Sequence, residues 1–326
     1  MENQILLSDI ATDTLHGLSA NPKFLLSKYF YDHRGSKIFE DIMRMPEYYL
    51  TDCEIEIFEH YKKEIVTAIG KSEKLLELIE LGAGDGLKTK ILLAHLLSQN
   101  IDFKYIPIDI SAKAVEELQH DLKCNLPGLN VDGRIGDYFQ LIAGLNGSAD
   151  KVVLFLGSNI GNFNQVQSLQ FLGQLRAALN PGDQLLIGFD LKKDPEIILK
   201  AYNDPHGHTA AFNLNLLQRI NDELGADFQL DNFCHQEIYN PETGTAKSYL
   251  ISQNTHHVYI PQLDRTFLFR QDEKIFMEMS QKYDQQMINR LAETSGFEVV
   301  KNFKDHRSWF VNSIWRVKNE SQKSSF

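Results

Sequence analysis

Residues Leu75 to Thr89, LLELIELGAGDGLKT, decide the fold. An apolar run closes at Glu80-Leu81, breaks into Gly82-Ala83-Gly84-Asp85-Gly86, and resumes with helical character from Leu87 to Ser98. Strand, glycine turn and helix start, in that order, are the setting in which a nucleotide-type ligand lies against backbone. Glycine permits positive φ there, and its missing Cβ lets a ligand approach the main chain. The spacing is G-x-G-x-G rather than the G-x-G-x-x-G of dinucleotide binders, and no G-K-[ST] follows to cradle a triphosphate. Taken alone, the turn also fits a plain strand-to-helix connection. The next element argues for a ligand. Phe103–Ile110 (FKYIPIDI) reads as a second strand with Asp109 near its carboxyl end, where an acid can hold ribose hydroxyls and repel an extra phosphate. The other reading of Asp109 is an N-cap for the helix beginning near Ser111. A third strand end, Arg134 to Tyr138, places Asp137 and Tyr138 where a carboxylate and a ring can meet an adenine, although Gly-Asp is also ordinary turn chemistry.

Outward from this core the alternation continues. Strands are expected at Leu75–Leu81, Phe103–Ile110, Val131–Ile135, Val152–Leu156 and Gln184–Phe189, with helices over Leu87–Ser98, Ala112–Lys123 and Gln165–Ala178. Val115, Leu118 and Leu122 recur at helical spacing, as do Leu169, Leu172, Leu175 and Leu179. Alternation of this kind predicts a parallel sheet with helices on both faces. Near the carboxyl end a helix over Gln286–Glu293 precedes two strands, Phe297–Phe303 and Ser308–Val317, joined by the polar turn Lys304-Asp305-His306. Two regions stand outside the alternation. The stretch to about Tyr61 is helical and aromatic-rich. The stretch from Lys192 to about Tyr283 holds a helix (Phe212–Leu224) and β-rich segments at Phe233–Tyr239, Ser248–Ser252 and His256–Ile260. These predict a discontinuous α+β second lobe over residues 1–61 and 192–283, a sheet domain over 62–191 and 284–318, and a flexible tail at 319–326.

Composition narrows the function. The 326-residue chain carries 33 Lys and Arg against 44 Asp and Glu, a formal charge of -11 that argues against a polyanionic partner. No basic stripe with interleaved aromatics occurs, so no nucleic-acid partner is expected. Cys53, Cys124 and Cys234 lie far apart without metal-ligand spacing, which fits a reducing compartment and no disulfide framework. The start, MENQILLSDIATDT, lacks a basic-then-apolar signal, and no window approaches eighteen uninterrupted apolar residues. A cytoplasmic monomer without membrane contact is expected. His206 with His208, and His256 with His257, lack a third ligand at metal-like spacing, so no metal site is expected.

Three further clusters carry candidate chemistry. Phe30 to Ser36 (FYDHRGS) and Pro46 to Tyr49 (PEYY) offer Tyr31 and Tyr48, whose phenols can donate to a carboxylate while the rings exclude water. The alternative is core or lid packing. Leu156 to Asn162 (LGSNIGN) follows the fourth strand, and Asn162 offers both an amide donor and a carbonyl acceptor to an amine; its other reading is a loop or cap residue. Glu278 and Ser280 stand two residues apart, on one side of an extended segment, where a carboxylate and a hydroxyl can grip a ring N–H. Both are also ordinary surface residues.

Together these segments resemble the S-adenosylmethionine-dependent histidine Nα-methyltransferases of ergothioneine biosynthesis. The matching blocks are FYDHRGSKIFEDI, PEYYLTDCE, ELGAGDGLKT, PIDIS, GDY, FLGSNIGNF, DLKKD leading to AYND, TAAFNLNLL and EMSQKY, in family order over nearly the whole chain. The resemblance implies a class I methyltransferase sheet, Rossmann-like, with parallel strands and a closing antiparallel strand, plus the substrate lobe outlined above. It implies S-adenosylmethionine as cofactor, held by Gly82, Gly84, Lys88, Asp109, Asp137, Tyr138 and Gly157. It places Tyr31, Tyr48, Asn162 and Tyr202 at the amino acid's backbone groups and side chain, with Asn162 and Tyr31 as the candidate catalytic pair, and Glu278 and Ser280 at the imidazole.

One departure stands out. Where the family usually shows Ile-Glu-Met, with the Met lining the side-chain pocket, this chain reads Ala246-Lys247-Ser248, and a smaller residue reshapes that pocket. The implied reaction is transfer of methyl to the α-amine of L-histidine, up to the trimethylated product. The rival acceptors are tryptophan or another imidazole compound. The rivals of another class are a nicotinamide-dependent dehydrogenase and a catalytically silent cofactor binder.

Overall fold

The computed structural model describes residues 8–70, 74–145 and 147–318; the expected tail at 319–326 lies outside them. The chain divides into two compact units, Leu50–Lys192 with Gln281–Phe326, and Met1–Tyr49 with Lys193–Ser280.

The first of these is built on an eight-stranded sheet. Its order is Phe297–Lys304, Phe310–Val317, Gln184–Asp190, Asp150–Phe155, Leu76–Leu81, Phe103–Asp109 and Asn130–Val131, with Arg134–Ile135 also pairing to Phe103–Asp109. The strands from Gln184–Asp190 to the far edge are parallel to their neighbours, whereas Phe310–Val317 runs antiparallel to both of its partners. Strand Leu76–Leu81 is buried at five of six positions, Glu80 among them, so its apolar residues do not alternate with exposed ones. Helices Thr89–Ser98, Ala112–Asn125 and Gln165–Ala178 return the chain between parallel strands. Their starts are chemically marked. Ser111 accepts from the Ala114 N–H, and Asn164 and Gln167 form a reciprocal capping box. Phe155, Phe171, Phe189 and Trp315 anchor the core of this unit.

The strand expected over Val131–Ile135 is broken into Asn130–Val131 and Arg134–Ile135. The break has a steric cause. A Cβ on Gly133 would lie 2.6 Å from both Val115 Cγ1 and Gln119 Oε1, so the chain presses its backbone onto the neighbouring helix there. Asp132 then turns outward to pair with Lys104 and Arg134.

In the second unit a four-stranded sheet runs Lys23–Phe24, Lys274–Gln281, Thr245–Ser252 and Phe233–Asn240, and a separate antiparallel pair joins His256–Ile260 to Arg265–Phe269. Helices His33–Met43 and His208–Leu224 pack on each other, and Pro195–Tyr202 packs on the two strands Phe233–Asn240 and Thr245–Ser252. Phe30, Phe212, Leu216, Leu250, Phe269, Ile275 and Met277 belong to one apolar core. Helix His208–Leu224 begins at Gly207 with φ 75, four residues earlier than its apolar pattern suggests; Asp204 accepts from the His208 and Thr209 N–H groups and so draws the polar first turn into the helix. Among the described residues no helix is long and apolar enough to cross a membrane.

Candidate active site

In the eight-stranded sheet, chain order reverses between the adjacent parallel strands Leu76–Leu81 and Asp150–Phe155. Beyond the carboxyl ends of strands at such a point lies the ligand crevice of open α/β sheets. Gly82 and Gly157 follow those two strands. Gly82 takes φ 71 and donates its N–H to Ile108 O at 2.8 Å. A Cβ on it would meet Asn159 Nδ2 at 3.3 Å, and one on Gly157 would meet Lys88 Nζ at 3.3 Å, so the glycine turn and the fourth-strand loop are nearly in contact. Gly84, at φ 53, has nothing within 4 Å of a built Cβ, which leaves an open cradle at the backbone.

Asp109 is not the N-cap of helix Ala112–Asn125, a place that Ser111 takes. Its Oδ2 accepts from the Gly84 N–H at 3.0 Å and its Oδ1 from the Ser111 N–H at 2.9 Å, so the acid ties the glycine turn to the second strand end. A carboxylate has lone pairs left for two hydroxyls after two such bonds. Asp137 caps the short helix Tyr138–Leu141 through the Phe139 N–H at 2.9 Å. Tyr138 packs its ring edge-on against Phe155 and Phe171 and stacks on Phe139, and burial pushes its phenol well above the ordinary value. The open apolar surface beside Asp109 and Asp137 is instead offered by Ile110, Ile135 and Phe139, which are 51%, 53% and 37% exposed.

Two buried acids under this crevice were not singled out by the sequence. Glu54 has a fully buried side chain; its Oε2 accepts from Lys88 Nζ at 2.6 Å and from the Gly157 N–H at 2.9 Å, while Oε1 has no hydrogen-bond partner. It therefore joins the glycine-turn lysine to the fourth-strand loop. Glu80 accepts from Thr89 Oγ1 at 2.7 Å and from the Tyr105 hydroxyl. Burial pushes its carboxyl up to about 7 against those bonds. An acid inside an otherwise apolar strand was the available signal for Glu80. Glu54 lies mid-helix, and nothing local marks it.

The loop that carries Asn162 is held from three sides. Ser158, at φ 58, accepts from the Asp190 N–H at 2.9 Å, and Tyr283 Oη donates to Ile160 O at 3.3 Å. A Cβ on Gly161 would lie 2.9 Å from Gln281 O, so only glycine lets the loop close on that backbone. Half-buried Asn162 ends the 3-10 turn Asn159–Asn162. Beside it, Asp190 and Lys282 form a fully buried ion pair at 2.8 Å.

In the other unit, the expected acceptor residues form a chain of contacts. Tyr31 lies edge-on to Phe39 and Phe212 at 5.4 and 5.5 Å, Phe39 meets Tyr48 at 6.2 Å, and Tyr48 meets Tyr202 at 6.3 Å. Tyr202 Oη and Ser280 Oγ share a hydrogen bond of 3.1 Å. Glu278 is half-buried on the same strand as Ser280. Ser248 does not leave a bare apolar gap: its hydroxyl donates to Glu237 Oε2 at 2.6 Å, directly across the strand pair. His235 completes that buried group, with Nε2 at 3.9 Å from Glu237 Oε2. Period-two alternation along Phe233–Asn240 puts Phe233, His235 and Glu237 on one face, a signal present in the sequence and passed over there.

A sheet that reverses at this point, closes with an antiparallel strand and presents a glycine turn with Asp109 on the following strand is that of a class I S-adenosylmethionine-dependent methyltransferase. The family profile described as histidine-specific methyltransferase, SAM-dependent, matches residues 10–317, and the chain belongs to that family. It is 36% identical over 294 residues to a histidine N-alpha-methyltransferase of Mycolicibacterium smegmatis, covering 88% of this chain and 90% of that protein. It is 33% identical over 302 residues to a histidine N-alpha-methyltransferase of Mycobacterium tuberculosis, covering 93% of each. It is also 27% identical over 287 residues to ergothioneine biosynthesis protein 1 of Schizosaccharomyces pombe, covering 86% of this chain and 37% of that longer protein.

Proposed function

We propose that this chain methylates the α-amino group of free L-histidine, up to the trimethylated product. The observation that carries the reading is the contact chain from Tyr31 through Phe39 and Tyr48 to Tyr202 and Ser280, which gathers the expected acceptor residues of one unit. The cofactor residues fit an adenosyl sulfonium. The open backbone at Gly84 admits its bulk, Asp109 keeps acceptor capacity for two ribose hydroxyls, and Lys88 is a cation for its carboxylate. The apolar faces of Ile110, Ile135 and Phe139 suit a purine better than the ring of Tyr138, which is spent on the core. Bound S-adenosylmethionine supplies an electrophilic methyl group, so the protein's work is to orient and desolvate.

Tyr31 and Tyr202 donate to the acceptor's carboxylate, and Tyr48 walls the pocket. Asn162 receives the amine by accepting an N–H, which orients the nitrogen toward the methyl group; the amine reacts as the free base, its proton having passed to water. Glu278 accepts an imidazole N–H, and Ser280 turns its hydroxyl from Tyr202 to the ring's other nitrogen, which leaves the Tyr202 hydrogen for the carboxylate. Losing one charge-assisted contact of this kind costs about 1.5–3 kcal/mol. We read the enzyme as a cytosolic monomer acting on a small molecule; Cys53, Cys124 and Cys234 form no disulfide.

The test is a panel of free amino acids offered with methyl-labelled S-adenosylmethionine. Histidine taking up label well ahead of tryptophan and phenylalanine supports the reading. Label on another amino acid moves the acceptor, and no label on any amine leaves the silent binder.

A further inference from the structure

The space beside Ser248 is polar. Ser248 and Glu237 face each other across the antiparallel strands Thr245–Ser252 and Phe233–Asn240, and the serine hydroxyl donates to the carboxylate at 2.6 Å. The side chains of His235 and Glu237 are 2% and 1% exposed. His235 Nε2 is buried with no hydrogen-bond partner and stands 3.9 Å from Glu237 Oε2. A donor atom about 2.8 Å from each can sit between such a pair, bonding to both. Burial pushes the His235 imidazole down to about 4, so at neutral pH the ring is uncharged and offers one acceptor lone pair. An unmet nitrogen in that position is costly unless something supplies the missing bond.

This polar group lies on two strands against which the helix bearing Tyr202 packs. Ala246, Ser248, Leu250 and Ser252 form the buried side of their strand, and Ile275, Met277 and Ser280 are the buried positions of the next. Helix Pro195–Tyr202, whose Tyr202 bonds Ser280, packs on the two strands that carry Ser248 and Glu237. Asp204, two residues past that helix end, acts electrostatically on His235.

We propose that Glu237, positioned by Ser248 and flanked by His235, is a specificity-determining residue of the acceptor pocket, admitting a side chain that brings an N–H donor and rejecting one that brings only carbon. A buried carboxylate in the wall of a pocket penalises an apolar ring. An apolar ring would strip solvent from the charge and return no hydrogen bond. An imidazole N–H pays that desolvation back by bonding to the carboxylate. The inference rests on the amino-acid Nα-methyltransferase reading above and sharpens it to donor-bearing side chains.

The test compares wild type, Glu237→Gln and Ser248→Ala for kcat and KM with histidine, and for the inhibition constant of phenylalanine against histidine. S-adenosylhomocysteine affinity and melting temperature are measured on the same preparations. Expected for Glu237→Gln is a KM for histidine raised about tenfold, kcat within twofold, and a phenylalanine inhibition constant unchanged or lower. Ser248→Ala, which leaves the carboxylate but removes its tether, shifts KM the same way by a smaller factor. A histidine KM within twofold of wild type in both variants overturns the proposal, and so does a rise in KM matched by an equal rise in the phenylalanine constant. Should Glu237→Gln fail to fold, Ser248→Ala decides alone by the same readouts. Wild type that methylates no amino acid sinks the function instead, a result distinguishable from wild type that methylates histidine without regard to Glu237.

Discussion

Replacing Glu54 by glutamine keeps the shape of a side chain with no exposure and removes its charge. In the native protein that carboxylate accepts from Lys88 Nζ at 2.6 Å and from the Gly157 N–H at 2.9 Å. Glutamine can still accept from Gly157, so the loss falls on the ion pair. A hydrogen bond between charged groups contributes about 1.5–3 kcal/mol, and removing one partner of a fully buried pair costs about 3–5 kcal/mol. Lys88 remains 21% exposed and can recover part of its hydration, which places the expected cost at the low end, about 2 kcal/mol. For a chain of this size that corresponds to a fall in melting temperature of about 3 °C. The assay is a double-mutant cycle of Glu54→Gln, Lys88→Met and both together, followed by denaturant unfolding. The two changes share one contact, so the double variant should lose less than the sum of the singles by about 1.5–2 kcal/mol. Additivity within about 0.5 kcal/mol would refute the coupling of helix, glycine turn and fourth-strand loop through Glu54.

Other outcomes follow from the same geometry. Glu80 is held at about 7 by burial, so the folded chain keeps a proton that the unfolded chain has lost above its ordinary value. Stability contributed at this site is therefore greatest at low pH, falls by about 3 kcal/mol as pH rises from about 4.5 to 7, and levels off above that. Glu80→Gln should remove that slope, and paired melts of variant and wild type across pH 4.5–8 measure it; parallel curves would show that Glu80 ionises normally. Asp109→Asn keeps the shape but surrenders the charged acceptor, and should weaken S-adenosylhomocysteine binding about tenfold by calorimetry. Gly161→Ala would drive a Cβ to 2.9 Å from Gln281 O, so activity should drop at least tenfold while S-adenosylhomocysteine still binds. Glu278→Ala should raise the KM for histidine about tenfold or more with little change for the cofactor, read from initial rates.

The sheet was legible because its strands are apolar runs that end in marked turns. Gln165–Ala178 occupies the predicted residues, and Phe103–Asp109 and Gln184–Asp190 differ from expectation by one residue at an end. The single strand expected over Val131–Ile135 is two short ones, split at Asp132-Gly133, where Gly133 presses against Val115 and Gln119. The aromatic and polar acceptor residues could be named from motif blocks, yet their contact chain joins Tyr31 to Tyr202 across most of the sequence and has no local signature. Tyr138 follows Gly-Asp as an aromatic; its half-buried ring meets Phe155 and Phe171 edge-on, with Phe139 exposed beside it, contacts that no local pattern shows. Ser248 looked like a hole in a pocket until its partner on the next strand was in view.

The central claim is that an amino acid's α-amine receives methyl groups here. Mass spectrometry of histidine incubated with the protein and S-adenosylmethionine tests it directly. The account predicts products heavier by one, two and three methyl groups, with fragmentation placing every methyl on the α-nitrogen and none on the ring. Unchanged histidine, or methyl groups found on the imidazole, would contradict it.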